Sequence, residues 1–244
     1  MRRLAALVSW LVLCVGWSSA SVQVGSFQVN PVRLTLIAPQ TTTAFTVTNR
    51  AVQPVVVQFR VVAWRQEEGQ DVYVETQELL VTPPIISLEP EKVQTVRVGL
   101  RRPLPTTQEL TYRVYVQEVP GPPQPGVEGV QVMLQIGMPV FVRPQTPGAP
   151  VLRWQAQQTA DGTVQLRAHN AGNIHIQIQQ VQLRWGQQPE TTLQLSEAVY
   201  LLPGQMRQWS ATQFATRGEV GQLLRISART DQGVLDVEIP VGVP

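Results

Sequence analysis

Residues 130–144 read Val-Gln-Val-Met-Leu-Gln-Ile-Gly-Met-Pro-Val-Phe-Val-Arg-Pro. Val130, Val132, Leu134 and Ile136 face one way, and Gln131, Met133 and Gln135 face the other. Alternation of this kind marks a strand, where residues two apart lie roughly 7 Å apart on one face. The strand runs on through Pro139, which has no N–H to give to a ladder, so an edge or a bulge is expected there. A long edge strand with aliphatic side chains invites unwanted pairing. Two readings stay open at this point. The row can fill its own domain's core, or it can be left open for another chain to pair with it through main-chain hydrogen bonds and alternate side-chain pockets.

The same rhythm extends upstream. Thr43-Ala-Phe-Thr-Val-Thr-Asn49, Val55-Val-Val-Gln-Phe-Arg-Val-Val-Ala-Trp64, Val93-Gln-Thr-Val-Arg-Val-Gly-Leu100 and Thr111-Tyr-Arg-Val-Tyr-Val-Gln117 all alternate. Turn material at 49–54, 67–71, 89–92 and 103–105 separates them. No stretch shows the 3.6-residue period of an amphipathic helix. Downstream, Arg143-Pro-Gln-Thr-Pro-Gly-Ala-Pro150 is a Pro-rich break, and the strand rhythm then resumes at 151–156, 163–170, 174–185, 191–195, 205–209, 222–228 and 233–239. Asp161-Gly162 and Asp231-Gln-Gly233 read as hairpin turns. The expected fold is all-β: two immunoglobulin-like β-sandwich domains, 21–145 and 146–244, joined by a short Pro-rich hinge.

The first twenty residues are expected to be a cleavable secretory signal. Arg2 and Arg3 precede an apolar run from Leu4 to Trp17, followed by Ser18-Ser19-Ala20. A run this short falls below the roughly 20 residues that span a bilayer. Cleavage near Ala20 removes Cys14, the only cysteine, so the mature chain has no disulfide and no thiol nucleophile. It also removes two arginines from 19 basic against 17 acidic residues, which leaves 17 against 17. A balanced mature chain has no electrostatic drive toward nucleic acid, and no second apolar run suggests membrane insertion.

Enzyme chemistry finds little support. His169 and His175 are the only histidines and have no cysteine partner, whereas a metal site needs three or four converging ligands. Asn170 and Asn173 beside them suggest turn chemistry. Gly-x-Ser-x-Gly, phosphate-loop and His-Glu-x-x-His motifs are absent. Glu67, Glu68 and Asp71 read as a solvated turn. The expectation is no catalysis, no cofactor and no metal.

Six stretches, in order, resemble the PapD-like periplasmic pilus chaperones of the chaperone–usher system. They are Asn30-Pro-Val-Arg33-Leu-Thr-Leu, Phe45-Thr-Val-Thr-Asn49, Ala63-Trp64, Thr82-Pro-Pro-Ile with Leu88-Glu-Pro and Val96-Arg97-Val98, Glu109-Leu-Thr-Tyr-Arg-Val-Tyr-Val-Gln-Glu-Val-Pro120, and Phe141-Val-Arg143-Pro144. The match is looser in the second half, at Asn170-Ala-Gly-Asn-Ile-His175 and Thr230-Asp231-Gln-Gly233. The resemblance implies a boomerang of two domains in the periplasm. It implies a partner too: pilus subunits that lack their last strand, delivered to an outer-membrane usher. The seventh strand of such a chaperone fills the subunit's gap, here through Val130, Val132 and Leu134, with Ile136 as a fourth. Exposed edge strands also allow self-association.

The resemblance further implies a cleft that holds the subunit's C-terminal carboxylate with one arginine and one lysine. Arg33 matches the arginine, and a guanidinium can bind a carboxylate through two parallel hydrogen bonds. Pro139 stands where the lysine belongs, and the only lysine is Lys92, in a turn. Either Arg33 works alone or another arginine assists it, for which Arg97, matching a family arginine, is the candidate. Glu109, Arg143 and Asp231 fall where the family has an interdomain salt-bridge network. The short loop Glu118 to Glu128 fits the short-loop type of chaperone. The missing lysine and disulfide mark a subgroup, for which the divergent branch serving spore-coat-like pilins is the candidate. The alternative function is a secreted structural or adhesive immunoglobulin-like binding protein.

Overall fold

The computed structural model describes residues 26–121, 132–186, 190–193, 195, 198–212 and 221–242. The signal segment and Val130 lie outside the described residues, which contain no helix. Ten strands build the first half: β1 (Phe27–Asn30), β2 (Leu34–Leu36), β3 (Thr42–Asn49), β4 (Val55–Glu67), β5 (Gln70–Glu75), β6 (Leu79–Thr82), β7 (Ile85–Leu88), β8 (Val93–Leu100), β9 (Leu110–Val119) and β10 (Gln135–Val142). They form a sheet ordered β1-β3-β8-β6 and a second ordered β2-β10-β9-β4-β5, with β7 also on β4. Alternate residues of both sheets meet between them. Phe45, Val47, Val96 and Val98 face Val57, Val114, Val116, Met138 and Val140, all buried in one apolar cluster.

Eight strands follow: β11 (Leu152–Gln158), β12 (Val164–Asn170), β13 (Ile176–Trp185), β14 (Thr191–Leu193), β15 (Val199–Leu201), β16 (Met206–Ala211), β17 (Leu223–Thr230) and β18 (Gly233–Gly242). The set β16-β12-β11 joins the set β18-β17-β13 through a short parallel contact, Ala156 opposite Val241 and Gln157 opposite Gly242. Leu166, Ile178, Leu183, Trp185, Leu224 and Ile226 fill the separate core of this second sandwich.

The turn read at 67–71 is tighter than expected. Glu67 pairs with Gln70, leaving a two-residue loop in which Glu68 and Gly69 both take positive φ, 49° and 77°. That geometry suits a hairpin whose twist matches its strands. The chain then continues as β5, whose side chains are exposed on both faces apart from a half-buried Val72, so no buried–exposed alternation marks it.

One corner occurs twice. Asn49 ends β3 with its side chain fully buried; Nδ2 donates to Gln53 O (2.8 Å) and Leu88 O (2.9 Å), and Oδ1 accepts from Ala51 N (2.7 Å). Asn170 ends β12 in the same way: Nδ2 donates to Ile174 O (2.8 Å) and Leu201 O (3.0 Å), and Oδ1 accepts from Gly172 N (3.0 Å) and Val151 N (3.2 Å). In each sandwich one amide side chain therefore satisfies the backbone where two strands part. Asn170→Ala takes the partner from four backbone groups, two of them in buried hydrogen bonds, so we expect a loss of about 2–4 kcal/mol. Urea unfolding of the purified protein measures it; a loss under about 0.5 kcal/mol would contradict the assignment.

Candidate functional site: an open strand edge and the cleft beside it

β10 pairs antiparallel with β9 along its whole length, from Gln135 opposite Gln117 to Val142 opposite Leu110. On its other side β2 runs parallel and covers only Val140, Phe141 and Val142. Among the described residues, no strand pairs with that side of Gln135–Pro139. The unpaired backbone groups of such an edge are a template for another strand.

The strand begins later than the alternation predicts, at Gln135. Glu118 explains part of this. Its backbone N–H still donates to Leu134 O (3.0 Å), but its carboxylate takes the Leu134 N–H (3.3 Å) and the Ser26 hydroxyl (2.5 Å). A side chain thus ends the ladder there.

The even-numbered row leaves the core by degrees. Met138, Val140 and Val142 are fully buried. Leu134 and Ile136 are half-buried and pack against the rim of the same core. Val132 is 86% exposed. The two readings of this row therefore apply to different parts of it: its end belongs to the domain's own core, and its beginning extends past that core.

The odd-numbered side of β10 faces the second sandwich. Phe141 stacks on the His175 ring at 3.5 Å and 10°, and it clusters with Trp64, Tyr200 and Leu202. Trp64 is therefore a domain-interface residue and not part of either sandwich's core. β4 achieves this by reversing its buried face between Phe59 and Val62. Gln66 fastens the contact, donating to Tyr200 O (2.8 Å) and accepting from Leu202 N (3.0 Å).

A run of charged groups crosses the same interface. The Glu109 side chain has no solvent exposure, and its Oε2 accepts from the backbone N–H of His175 (2.8 Å) and lies 2.7 Å from His175 Nδ1. Arg143 Nε stands 3.5 Å from Glu109 Oε1, an ion pair without hydrogen-bond geometry. His175 Nε2 is 3.9 Å from Asp231 Oδ2, which accepts from Arg33 at 3.1 Å. Asp231 also receives the Gln177 backbone N–H at 2.9 Å. Sequence reasoning found Glu109, Arg143 and Asp231 but missed His175, the group between them.

Beside the edge the two sandwiches enclose a cleft of about 850 Å³, whose lining includes Arg33, Tyr73, Arg113, Pro139, Arg207 and Asp231. The structure does not bring Arg97 here. That residue lies exposed on β8, opposite Ala44 and Thr82, in the sheet remote from β10. Arg113 occupies the cleft instead. It sits on β9 directly opposite Pro139, with its guanidinium 4.6 Å from the Trp64 ring centroid and 5.1 Å from that of Tyr73. The parity of 111–117 already placed Arg113 on the face opposite to Val114, but only the register to Pro139 gives that face a meaning. Burial pushes the Tyr73 hydroxyl up to about 12, with the Arg113 charge opposing the shift, and burial raises Tyr200 as well. Both phenols are therefore neutral at physiological pH, and the cleft's charge is set by its arginines and by Asp231 and Asp71.

Among the described residues, no group of three or more His, Cys, Asp or Glu could hold a metal ion, and no helix is long and apolar enough to cross a membrane.

Comparison with known proteins gives a consistent result. The family model for the N-terminal PapD domain of pili and flagellar-assembly chaperones matches residues 26–147. Solved structures share the whole fold. A chain of the CsuC–CsuE chaperone–tip adhesion subunit pre-assembly complex, from archaic chaperone-usher Csu pili of Acinetobacter baumannii, aligns at TM-score 0.67 and 20% identity, over 90% of this chain and 100% of that one. The YadV chaperone aligns at TM-score 0.62 and 16% identity, over 88% and 100%. A chain of the Salmonella enterica SafA pilin–SafB chaperone complex aligns at 0.59 and 20%, over 90% and 98%. No curated protein matches the chain in sequence.

Proposed function

This chain belongs to the family of pili and flagellar-assembly chaperones, and we propose that it stabilises pilus subunits by lending them the open side of β10 and then passes them to an outer-membrane usher. The observation that carries this reading is the free edge of Gln135–Pro139 beside a row whose exposure rises from Met138 to Val132. A subunit missing one strand would gain a backbone ladder from that edge. Val130, Val132, Leu134 and Ile136 would enter its groove, each aliphatic side chain contributing roughly 1.5–3 kcal/mol on burial. Val130 lies outside the described residues and enters by sequence alone. In this reading the first twenty residues are a signal removed near Ala20, the mature chain works in the periplasm, and its two domains divide near residue 146. Glu109, Arg143 and Asp231 set the angle between them. In this reading the protein works without catalysis or a cofactor; release would come when the subunit's next partner replaces the lent strand.

Co-expression with whatever secreted proteins are encoded beside its gene tests the reading. Affinity capture of the chaperone followed by mass spectrometry should recover at least one of them as a stoichiometric complex. Recovery of the free chaperone alone would instead favour a secreted structural or adhesive protein.

A further inference from the structure

Gly137 is a glycine that its backbone conformation does not require. It sits inside β10 without a positive φ, and a glycine in a strand interior weakens the strand because it has no side chain to pack. Space explains it instead. A Cβ at this position would stand 3.2 Å from Tyr115 Cε1 and 3.5 Å from Arg113 Cδ. Tyr115 lies directly opposite on β9, so its ring crosses from β9 over β10. Two further contacts hold the ring there. The Arg60 guanidinium covers its face, 4.7 Å from the centroid, and the Tyr73 ring meets it in a T-shaped contact at 6.2 Å and 79°.

The ring thereby lies at the open side of the strand. Leu134 O accepts from Glu118 N on the β9 side. The N–H groups of Gln135 and Gly137 therefore point the other way, toward the side that no strand covers among the described residues. A strand added there would place one side chain beside Gly137, on the face that carries Tyr115. That face is opposite to Leu134 and Ile136, so this side chain is one that a captured subunit keeps outside its own groove. The space is one rung wide. On the rung before it Gln58, Gln117 and Gln135 stand opposite one another, all exposed, and the face is polar. On the rung after it Pro139 is buried and has no N–H to offer.

We propose that Gly137 and Tyr115 form a recognition site for the captured strand, and that the side chain it takes is aromatic. This inference rests on the strand-lending reading above and adds discrimination to it. An aliphatic row can enter any apolar groove, whereas this site selects among strands by a residue that the groove does not hold. The chemistry follows from what bounds the space. A guanidinium covers the Tyr115 face, its edge contact is with a second phenol, and Arg113 lies against the same gap. A ring added beside Gly137 continues the edge-to-face series and can stack on a guanidinium, and a glycine within a sheet leaves room for a ring from the next strand. An aliphatic side chain would fill the space without either gain.

The test uses the full mature chaperone in complex with the secreted protein recovered by co-expression. Hydrogen exchange first follows the pairing: the Gln135 and Gly137 amides should exchange fast in the free chaperone and be protected in the complex. NOEs from the Tyr115 ring should then reach an aromatic side chain of the captured protein. Tyr115→Phe keeps the ring and should change affinity less than about twofold, whereas Tyr115→Leu should weaken it about threefold to tenfold, the worth of one aromatic pair. Replacing the partner's aromatic residue by leucine should cost a similar factor, and the two changes together should cost less than the product of the two. Gly137→Val, which puts a side chain where the ring lies, should also lower affinity while the free chaperone keeps its melting temperature. Protected amides with NOEs to an aliphatic or polar side chain, or losses that simply multiply, would overturn the proposal and leave strand lending intact. Amides that stay fast in the complex would refute strand lending and this site with it.

Discussion

Val132→Arg is expected to abolish subunit capture while leaving the free protein as stable as wild type. Val132 is 86% exposed, so the substitution removes almost no contact from the chaperone's own core. In a complex the same position would enter an apolar groove. There the loss of a buried valine, roughly 1.5–3 kcal/mol, adds to the larger cost of desolvating a guanidinium without a partner. A fall of at least about a hundredfold in affinity follows. Leu134→Arg should weaken capture as strongly but lower the melting temperature by a few degrees, because Leu134 packs on the rim of the first core. Met138→Arg should fail to fold, since Met138 has no exposed surface. The informative quantity is this divergence along a single row. Capture is lost at every position from 132 to 136, whereas the cost in stability climbs toward 138. Paired measurements of melting and co-purification check it. If Val132→Arg still captures the subunit, the row is not the lent strand. If Val132→Arg and Leu134→Arg destabilise equally, the gradient has been misjudged.

The all-β architecture was legible because its strands alternate strongly. Phe45 and Val47 are buried on either side of a partly exposed Thr46, and Val96 and Val98 on either side of an exposed Arg97, the pattern of a half-buried strand. Strands β5, β6 and β7 were not legible. They are short or lie at a sheet edge, and β6 and β7 pair with strands that are not their neighbours in the chain. The site divides along the same line. Residues predicted from their place within one strand (Leu134, Ile136) can be located from local pattern, whereas Arg33 entered only through the family motif. Arg113 and His175 acquire their roles through cross-strand register and domain contact, which no local pattern contains. Arg97 shows the opposite failure: a motif match assigned it a place in the cleft, but its strand belongs to the other sheet. The interface role of Trp64 was out of reach for a subtler reason. Its strand reverses its buried face midway, so one alternating run serves a core at one end and an interface at the other.

Glu109→Ala should uncouple the two sandwiches without unfolding either. The Glu109 carboxylate is wholly buried and holds the His175 backbone and ring from the second domain, with Arg143 3.5 Å away in the first. Its removal leaves the His175 N–H groups without an acceptor and a half-buried guanidinium without its anion. Breaking one side of a buried pair costs roughly 3–5 kcal/mol. Arg143 keeps 26% of its side-chain surface in solvent, so the lower end of that range, about 3 kcal/mol, is expected. Each sandwich has its own apolar core, and neither core includes Glu109. The loss therefore falls on the contact between them. Calorimetry should show one cooperative transition in the wild type resolving into two in the variant, and scattering should show a broader distribution of interdomain distances. Glu109→Gln should be milder, because the amide oxygen can still accept from the His175 backbone. The consequence for function is unequal. The edge of β10 lies within the first sandwich and should still offer its strand, whereas the cleft is walled by both domains and should lose its shape. Glu109→Ala is thus expected to retain most strand-dependent capture. An unchanged single transition would mean that the domain angle is fixed by other contacts, among them the Phe141–Trp64–Leu202 cluster, the Gln66 hydrogen bonds to Tyr200 and Leu202, and the Arg33–Asp231 pair.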